Sequence, residues 1–250
     1  DILLLPDEKH MQPDLVLSEG RIVAEGGRVL VPLPRVPYPE PLLHTVKIQP
    51  LTPAQLRVPV DAAGSPDSVR VMEIQPGGLV TREGKASPRI VDGRLDADPQ
   101  NDLLKAVFIE RISGREERFI GFVKGWGQKE GAAATTLCWE AMGIMAVGAN
   151  DLDLSLAINR VIDMQGGTAL ASGGTLRTAV PFNVGGFLSE LAMEDIAAGL
   201  NAFQREMAVL GSPLDHPHLT LMVLTTAAIP FIRMTEKGYY RFREDDYVGL

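Results

Sequence analysis

Five prolines, Pro32, Pro34, Pro37, Pro39 and Pro41, fall within ten residues of this 250-residue chain. Each fixes φ and removes a backbone donor, so neither a helix interior nor a central strand runs through them. The stretch reads as an extended, semi-rigid connector, with a PxxP docking ligand as the minor alternative. It divides the chain into residues 1–44, a β unit with its connector, and residues 45–250. In the first part Leu15–Leu17, Ile22–Ala24 and Val29–Val31 are short apolar runs set between Ser18-Glu19-Gly20 and Glu25-Gly26-Gly27. That is the pattern of a β meander with tight glycine turns. A meander of this size is not stable alone and calls for a larger sheet to join.

After the connector the texture is mostly strand. Thr45–Ile48, Ser68–Ile74, Lys105–Ile112 and Phe119–Val123 are β-rich, and alternation is clear through Val69–Ile74. Pro76–Asn101 reads as loops around one short strand. Asp151–Met164 and Met193–Leu210 carry apolar residues at helical spacing; Asn150 or Asp153 caps the first, and Gly211 ends the second. Gly167–Ala171 and Leu176–Val180, separated by Ser172-Gly173-Gly174-Thr175, predict a hairpin. Leu219–Ile229 fits either a buried strand or a buried helix. The last twenty residues, with Tyr239, Tyr240, Phe242 and Tyr247 among charges, predict a packed, partly exposed tail. Runs of strands with few helices define the fold class as α+β: a small N-terminal β unit followed by a mostly antiparallel α+β domain. Regular βα alternation is missing, which argues against a complete (β/α)₈ barrel in this chain.

Composition closes off several functions. The net charge is −8, the wrong sign for a protein that binds nucleic acid by neutralising phosphates and a poor match to an anionic membrane surface. A single cysteine, Cys138, excludes an internal disulfide framework and any cysteine-based zinc cluster, which fits a reducing, cytoplasmic setting. No run of 18 apolar residues occurs. The chain starts at Asp1, not methionine, so further sequence is expected ahead of it.

Few residues announce chemistry by spacing alone. His216-Pro217-His218 is the one histidine pair at metal spacing, and two imidazoles leave a divalent ion half ligated, so the pair reads first as loop histidines. Cys138 sits in the small-residue run Ala132–Trp139 with no histidine nearby, the setting of an inert buried thiol. Glu110-Arg111 reads as a charge pair at a strand end. Asp151 and Asp153 read as carboxylates at a helix start. Gly125-Trp126-Gly127 and Gly185-Gly186 read as turns, and neither fits a phosphate-binding fingerprint. Glu110, Lys124, Glu140 and Asp151 are the candidates for acid and base roles, with no spacing that shows them converging.

Taken in order, several segments resemble the C-terminal part of the adenine deaminases, metal-dependent hydrolases of the amidohydrolase superfamily. Gly121-Phe122-Val123-Lys124-Gly125-Trp126-Gly127 is similar to the family's GFVKGFG, and Val147-Gly148-Ala149-Asn150-Asp151 to its VGTND. Pro181–Gly186 with Leu188-Ser189 resembles LPIAGLMS, and Ile229–Gly238 resembles IPxLKLTDRG. Thr45–Ile48 and Glu110-Arg111 fall where similar segments occur, and the opening β unit looks like part of an amidohydrolase-type β domain. The resemblance spans nearly the whole chain. Two departures stand out. Where the family has HDSHN this chain has Trp139-Glu140-Ala141-Met142-Gly143, and the family's histidine after Glu-Arg is Ile112 here. The metal-bearing barrel of the family is not in this sequence.

The resemblance implies hydrolytic deamination of adenine or a related aminopurine, with a divalent metal (manganese or iron) bound outside this chain. The partners it implies are a small purine substrate and an amidohydrolase barrel on which this portion packs, with a homo-oligomer as a further expectation, and neither nucleic acid nor membrane. The alternative is a non-catalytic ligand-binding or oligomerisation module, motivated by the lost histidines. A third reading gives the chain its own site from Glu110, Lys124, Glu140 or Asp151.

Overall fold

The computed structural model describes residues 1–32, 37–63 and 68–250, with the side chains of residues 62 and 63 left aside. Pro34 of the proline connector lies outside the described residues. Two compact units result, Asp1–Tyr38 and Pro39–Leu250. The first is an antiparallel meander of β1 (Ile2–Leu4), β2 (Leu15–Ser18), β3 (Arg21–Glu25) and β4 (Arg28–Val29) in that order. Its last strand is shorter than the Val29–Val31 run implies.

The second unit opens with a four-residue helix, α1 (Glu40–Leu43), which uses Pro41 in its first turn and so breaks the extended connector. Then follow β5 (Val58–Pro59), β6 (Val69–Ile74), β7 (Thr81–Ala86), β8 (Arg89–Val91), β9 (Arg94–Asp96), β10 (Leu103–Glu110), β11 (Arg118–Lys124), β12 (Ala132–Thr135), β13 (Gly143–Gly148), α2 (Asp151–Asp163), β14 (Gly167–Ser172), β15 (Thr175–Pro181), α3 (Met193–Val209), α4 (Pro217–Val223), β16 (Ile232–Thr235), β17 (Gly238–Arg241) and β18 (Asp246–Val248). Eight strands form one sheet in the order β15-β14-β12-β13-β10-β11-β6-β7. Every pair is antiparallel except β11 with β6. The fold is therefore α+β and largely antiparallel, with no barrel among the described residues.

Alternation along the central strands sends side chains to two cores. Leu104, Ala106, Phe108, Met145 and Val147 pack with Phe203 and Met207 of α3, Leu221 of α4 and Ile232, Met234 and Tyr239 of the small β16-β17-β18 sheet. Val107, Ile109, Ile144 and Ala146 face the other way, onto Leu154, Ile158 and Val161 of α2. The β5-β9-β8 sheet covers the same side next to α2, through Val58, Leu95, Leu103 and Phe122. Both faces being covered explains why β10, β12 and β13 are buried along nearly their whole length instead of alternating between core and solvent.

Several sequence readings change here. Thr45–Ile48 is not a strand: Val46 N–H donates to Gln165 Oε1 at 3.3 Å and Lys47 N–H to Arg111 O at 2.8 Å, with no ladder. Pro76–Asn101 holds three strands, because arginine, threonine and lysine side chains on exposed β7 and β8 mask their pairing to β6 and β9. Leu219–Ile229 resolves into α4 followed by turns. The C-terminal tail is the β16-β17-β18 sheet. It closes on β11 through Tyr239, whose buried hydroxyl accepts from Phe122 N–H at 2.6 Å and donates to Phe122 O at 2.8 Å. A Cβ on Gly121 would stand 2.3 Å from that hydroxyl, so the close approach requires glycine there.

Candidate functional site

The segments that carry the family resemblance sort themselves to two ends of the central sheet. At the end marked by Leu103 and Lys124 the residues do structural work. Asp102, in the left-handed region at φ 52°, accepts from Gly125 N–H at 2.8 Å and Gly127 N–H at 2.7 Å with its two carboxylate oxygens. Trp126 is fully buried and donates its indole N–H to Gln128 at 2.7 Å. Asn150 caps α2 by accepting from Asp153 N–H at 2.8 Å, and the Asp153 carboxylate accepts from the Gly173 and Gly174 amides. Asp151 does not cap. It pairs with Lys105, whose ammonium is 1% exposed and lies 2.5 Å from Asp151 Oδ1, 3.2 Å from Leu56 O and 3.7 Å from Asp96 Oδ1. Burial holds the Asp151 carboxyl above its ordinary pKa even with that ammonium against it. A small cavity of about 70 Å³, lined by Arg57, Asp92, Arg94, Asp96, Lys105 and Asp151, opens beside the pair.

The other end, where β10 finishes at Glu110, gathers different groups. Glu110 and Arg111 are not an ion pair. The Glu110 carboxylate accepts from the Ile112 and Ser113 amides and the Ser113 hydroxyl, and these bonds outweigh burial and keep its pKa below the ordinary value. Arg111 turns inward and is fully buried. Its guanidinium donates to Thr45 O at 3.0 Å, Thr45 Oγ1 at 2.6 Å and Gly185 O at 2.7 Å, and lies 5.6 Å from the Phe187 ring centre. Its Nε has no partner among the described residues. Gly186, at φ +78°, passes so close that a Cβ would meet Arg111 Nη2 at 2.6 Å. Burial without a bonded carboxylate depresses the Arg111 pKa.

The loop after β12 lies over this end. Thr136 donates to Gly186 O at 2.8 Å. Met142 O accepts from Arg111 N–H at 3.0 Å. Cys138 is buried and its pKa is pushed up to about 12 by that burial, so it is a packing thiol at neutral pH and not a nucleophile. Glu140 Oε2 accepts from Ala228 N–H at 3.0 Å, which ties the loop to the 225–233 segment. There Arg233 is a second fully buried guanidinium, bonded to the Ile229, Pro230 and Leu79 carbonyls, with no partner for Nη1 among the described residues. Burial lowers its pKa to about 10, with the Glu140 charge working against the fall.

The six sequence candidates do not meet. Glu110 and Lys124 stand at opposite ends of neighbouring strands, seven residues of register or about 24 Å apart. Glu110 and Glu140 share the Arg111 end, and Lys124 and Asp151 share the other. His218 sits on a helix, and His216 stands at the end of the loop that leads into it. His216 is the N-cap position of α4, and His218 lies inside it with Nε2 2.8 Å from the Thr168 hydroxyl. Burial lowers the His218 pKa to about 4, so it is neutral at pH 7. Among the described residues no group of three or more His, Cys, Asp or Glu side chains converges as a metal set. The residues present do not fit the metal that the resemblance implies. Sequence reasoning missed Arg233 altogether and read Arg111 as half of a surface pair. An arginine inside an apolar run such as Ile229–Met234 was the available signal for the first.

The family's sequence model, described as the adenine deaminase C-terminal domain, matches residues 78–246. The chain belongs to the adenine deaminase family. It is 37% identical over 239 residues to an adenine deaminase of Moorella thermoacetica, covering 95% of this chain and 40% of that protein. An adenine deaminase of Bacillus velezensis is 34% identical over 254 residues, covering 100% of this chain and 43% of its own length. One from Methanosarcina acetivorans is 30% identical over 254 residues, with 45% of its length covered. The chain thus spans about two fifths of the adenine deaminases it matches. No helix among the described residues is long and apolar enough to cross a membrane.

Proposed function

We propose that this chain works as the C-terminal portion of an adenine deaminase-like, metal-dependent hydrolase of the cytoplasm. The reaction is adenine, or a related aminopurine, plus water to hypoxanthine, or the matching oxopurine, plus ammonia. Its chemistry is carried by a barrel outside this chain, where manganese or iron is held. One observation carries the reading: alignments that cover 95–100% of this chain cover only 40–45% of each adenine deaminase. No step is assigned to residues of this chain, since the candidates are spread over both ends of the sheet and the histidines are engaged elsewhere or alone. The chain supplies a rigid, two-sided sheet whose Arg111 end presents the 136–142 loop. A polypeptide extended to the length of the relatives tests this by metal analysis and ammonia release. Loaded metal with turnover of an aminopurine is the expected result; no metal and no turnover on any aminopurine overturns it.

A second reading has one observation behind it. Where the family segment carries histidines this loop carries Trp139 and Met142, each about half exposed. That favours a non-catalytic ligand-binding or oligomerisation module. A stable, monodisperse species of this chain alone in size-exclusion chromatography is the result that reading requires.

A further inference from the structure

The surface around the Arg111 end leaves six large apolar side chains in water. Leu42 is 43% exposed, Trp139 51%, Met142 49%, Leu188 59%, Leu191 42% and Met193 81%. Hydrogen bonds join segments that carry them. Gly185 N–H donates to Leu42 O at 2.6 Å, and Arg111 binds both Gly185 O and, through its amide, Met142 O. Leu188 bridges back to Val184, and Leu191 and Met193 follow in the same stretch of chain. Arg111 therefore ties three loop segments, those at Thr45 and Gly185 through its guanidinium and that at Met142 through its backbone amide. Together they expose on the order of several hundred Å², the size at which a patch on a soluble protein marks an interaction site.

Resting on the functional reading above, we propose that this rim is the docking face for the rest of the adenine deaminase polypeptide. The part of each relative outside the match is more than half of that relative's length, since the match covers 40–45% of the relative. It is the occupant with both the size and the need to be held here. Trp and Met, both present on the rim, are residue types enriched in interface cores. Glu190, Glu194 and Asp195 follow directly along the chain and are exposed, so the occupant meets the rim with an apolar patch flanked by Lys or Arg.

Trp139, Met142 and Met193 are oxidisable, so hydroxyl-radical footprinting read by mass spectrometry follows them in the full-length polypeptide. Left uncovered, exposures of 49–81% permit at most about a twofold slowing relative to the same protein unfolded in urea. Buried in an interface core, all three label roughly tenfold more slowly. A slowing of twofold or less overturns the proposal. So does labelling restored by dilution, which identifies a second copy as the occupant. Trp139→Glu is expected to return Met142 and Met193 to fast labelling with near-UV circular dichroism unchanged; continued protection counts against the rim. Deamination is read on the same sample. Turnover with an open rim removes the docking face and keeps the function, and a covered rim without metal or turnover does the reverse.

Discussion

Lys105 and Arg111 are both buried cations, six residues apart around one strand, and the fold treats them in opposite ways. Lys105 is matched by charge: Asp151 at 2.5 Å, Asp96 at 3.7 Å and a carbonyl close off its ammonium. Arg111 is matched by geometry: neutral oxygens of Thr45 and Gly185 take its donors, and no carboxylate among the described residues bonds to it. A point charge with three donors sits well in a compact ionic pocket, whereas a planar fork spans separate chain segments. The Lys105 end is thus a sealed structural joint, and the Arg111 end is a clamp that organises loops.

The largest way to break the comparison is at the sealed joint. Asp151→Ala strands a buried ammonium, and urea unfolding is expected to show a loss of about 3–5 kcal/mol. Adding Lys105→Met should recover most of it. A loss near zero would mean that water in the adjacent cavity replaces the carboxylate and that the two ends do not differ in kind.

The next effect is a pH dependence at the Arg111 side of the sheet. His218 has a folded pKa of about 4, below its unfolded value of about 6.5, because burial disfavours the imidazolium. Between those values the unfolded chain binds the extra proton, so stability is fully present above pH 6.5 and is lost as pH falls towards 4. The loss amounts to about 2–3 kcal/mol. Denaturation midpoints of the parent and of His218→Gln should diverge in that window and run parallel above it; parallel curves throughout would mean that His218 stays solvated.

At the clamp itself, Gly186→Ala meets both a positive φ and the pinned guanidinium, and is expected to cost roughly 2 kcal/mol. Hydrogen exchange should rise at 185–188 and 139–142 together; a rise confined to 185–188 would show that Arg111 does not couple the loops. Smallest is Glu140→Gln. It keeps the bond to the Ala228 amide and loses the charge, for about 1 kcal/mol. A thermal shift assay that shows no change would mean that Arg233 does not need that carboxylate.

What the sequence made legible follows the same division. The α+β class, α2, α3 and the β14–β15 hairpin were readable because each is built from local spacing or turn chemistry. The β7, β8 and β9 strands were not, since edge strands carry charged residues and short lengths that look like loop. Thr45–Ile48 has strand composition but finds its partners in Gln165 and Arg111, 119 and 64 residues away in sequence, and composition cannot announce that. The Arg111 site was opaque for the same reason. Adjacent charges predict a pair, and only the three-dimensional placement of Gly185 and Thr45 turns the guanidinium away from Glu110. His216 and His218 read first as loop histidines at metal spacing, and Pro217 in the first helical turn instead places His218 on α4 with His216 at its N-cap.

The Tyr239 hydroxyl has a meaning in time as well as in space. It bonds both the N–H and the C=O of Phe122, and it arrives 117 residues later in the chain. At ribosomal speeds of about 5–20 residues per second, that delay is roughly 6 to 23 seconds. For that interval β11 is made but has two unmet peptide groups beside a glycine, open to whatever strand or chaperone passes. Synthesis order therefore makes the latch on β11 one of the last events in this unit's folding, and a stalled ribosome would display it unlatched.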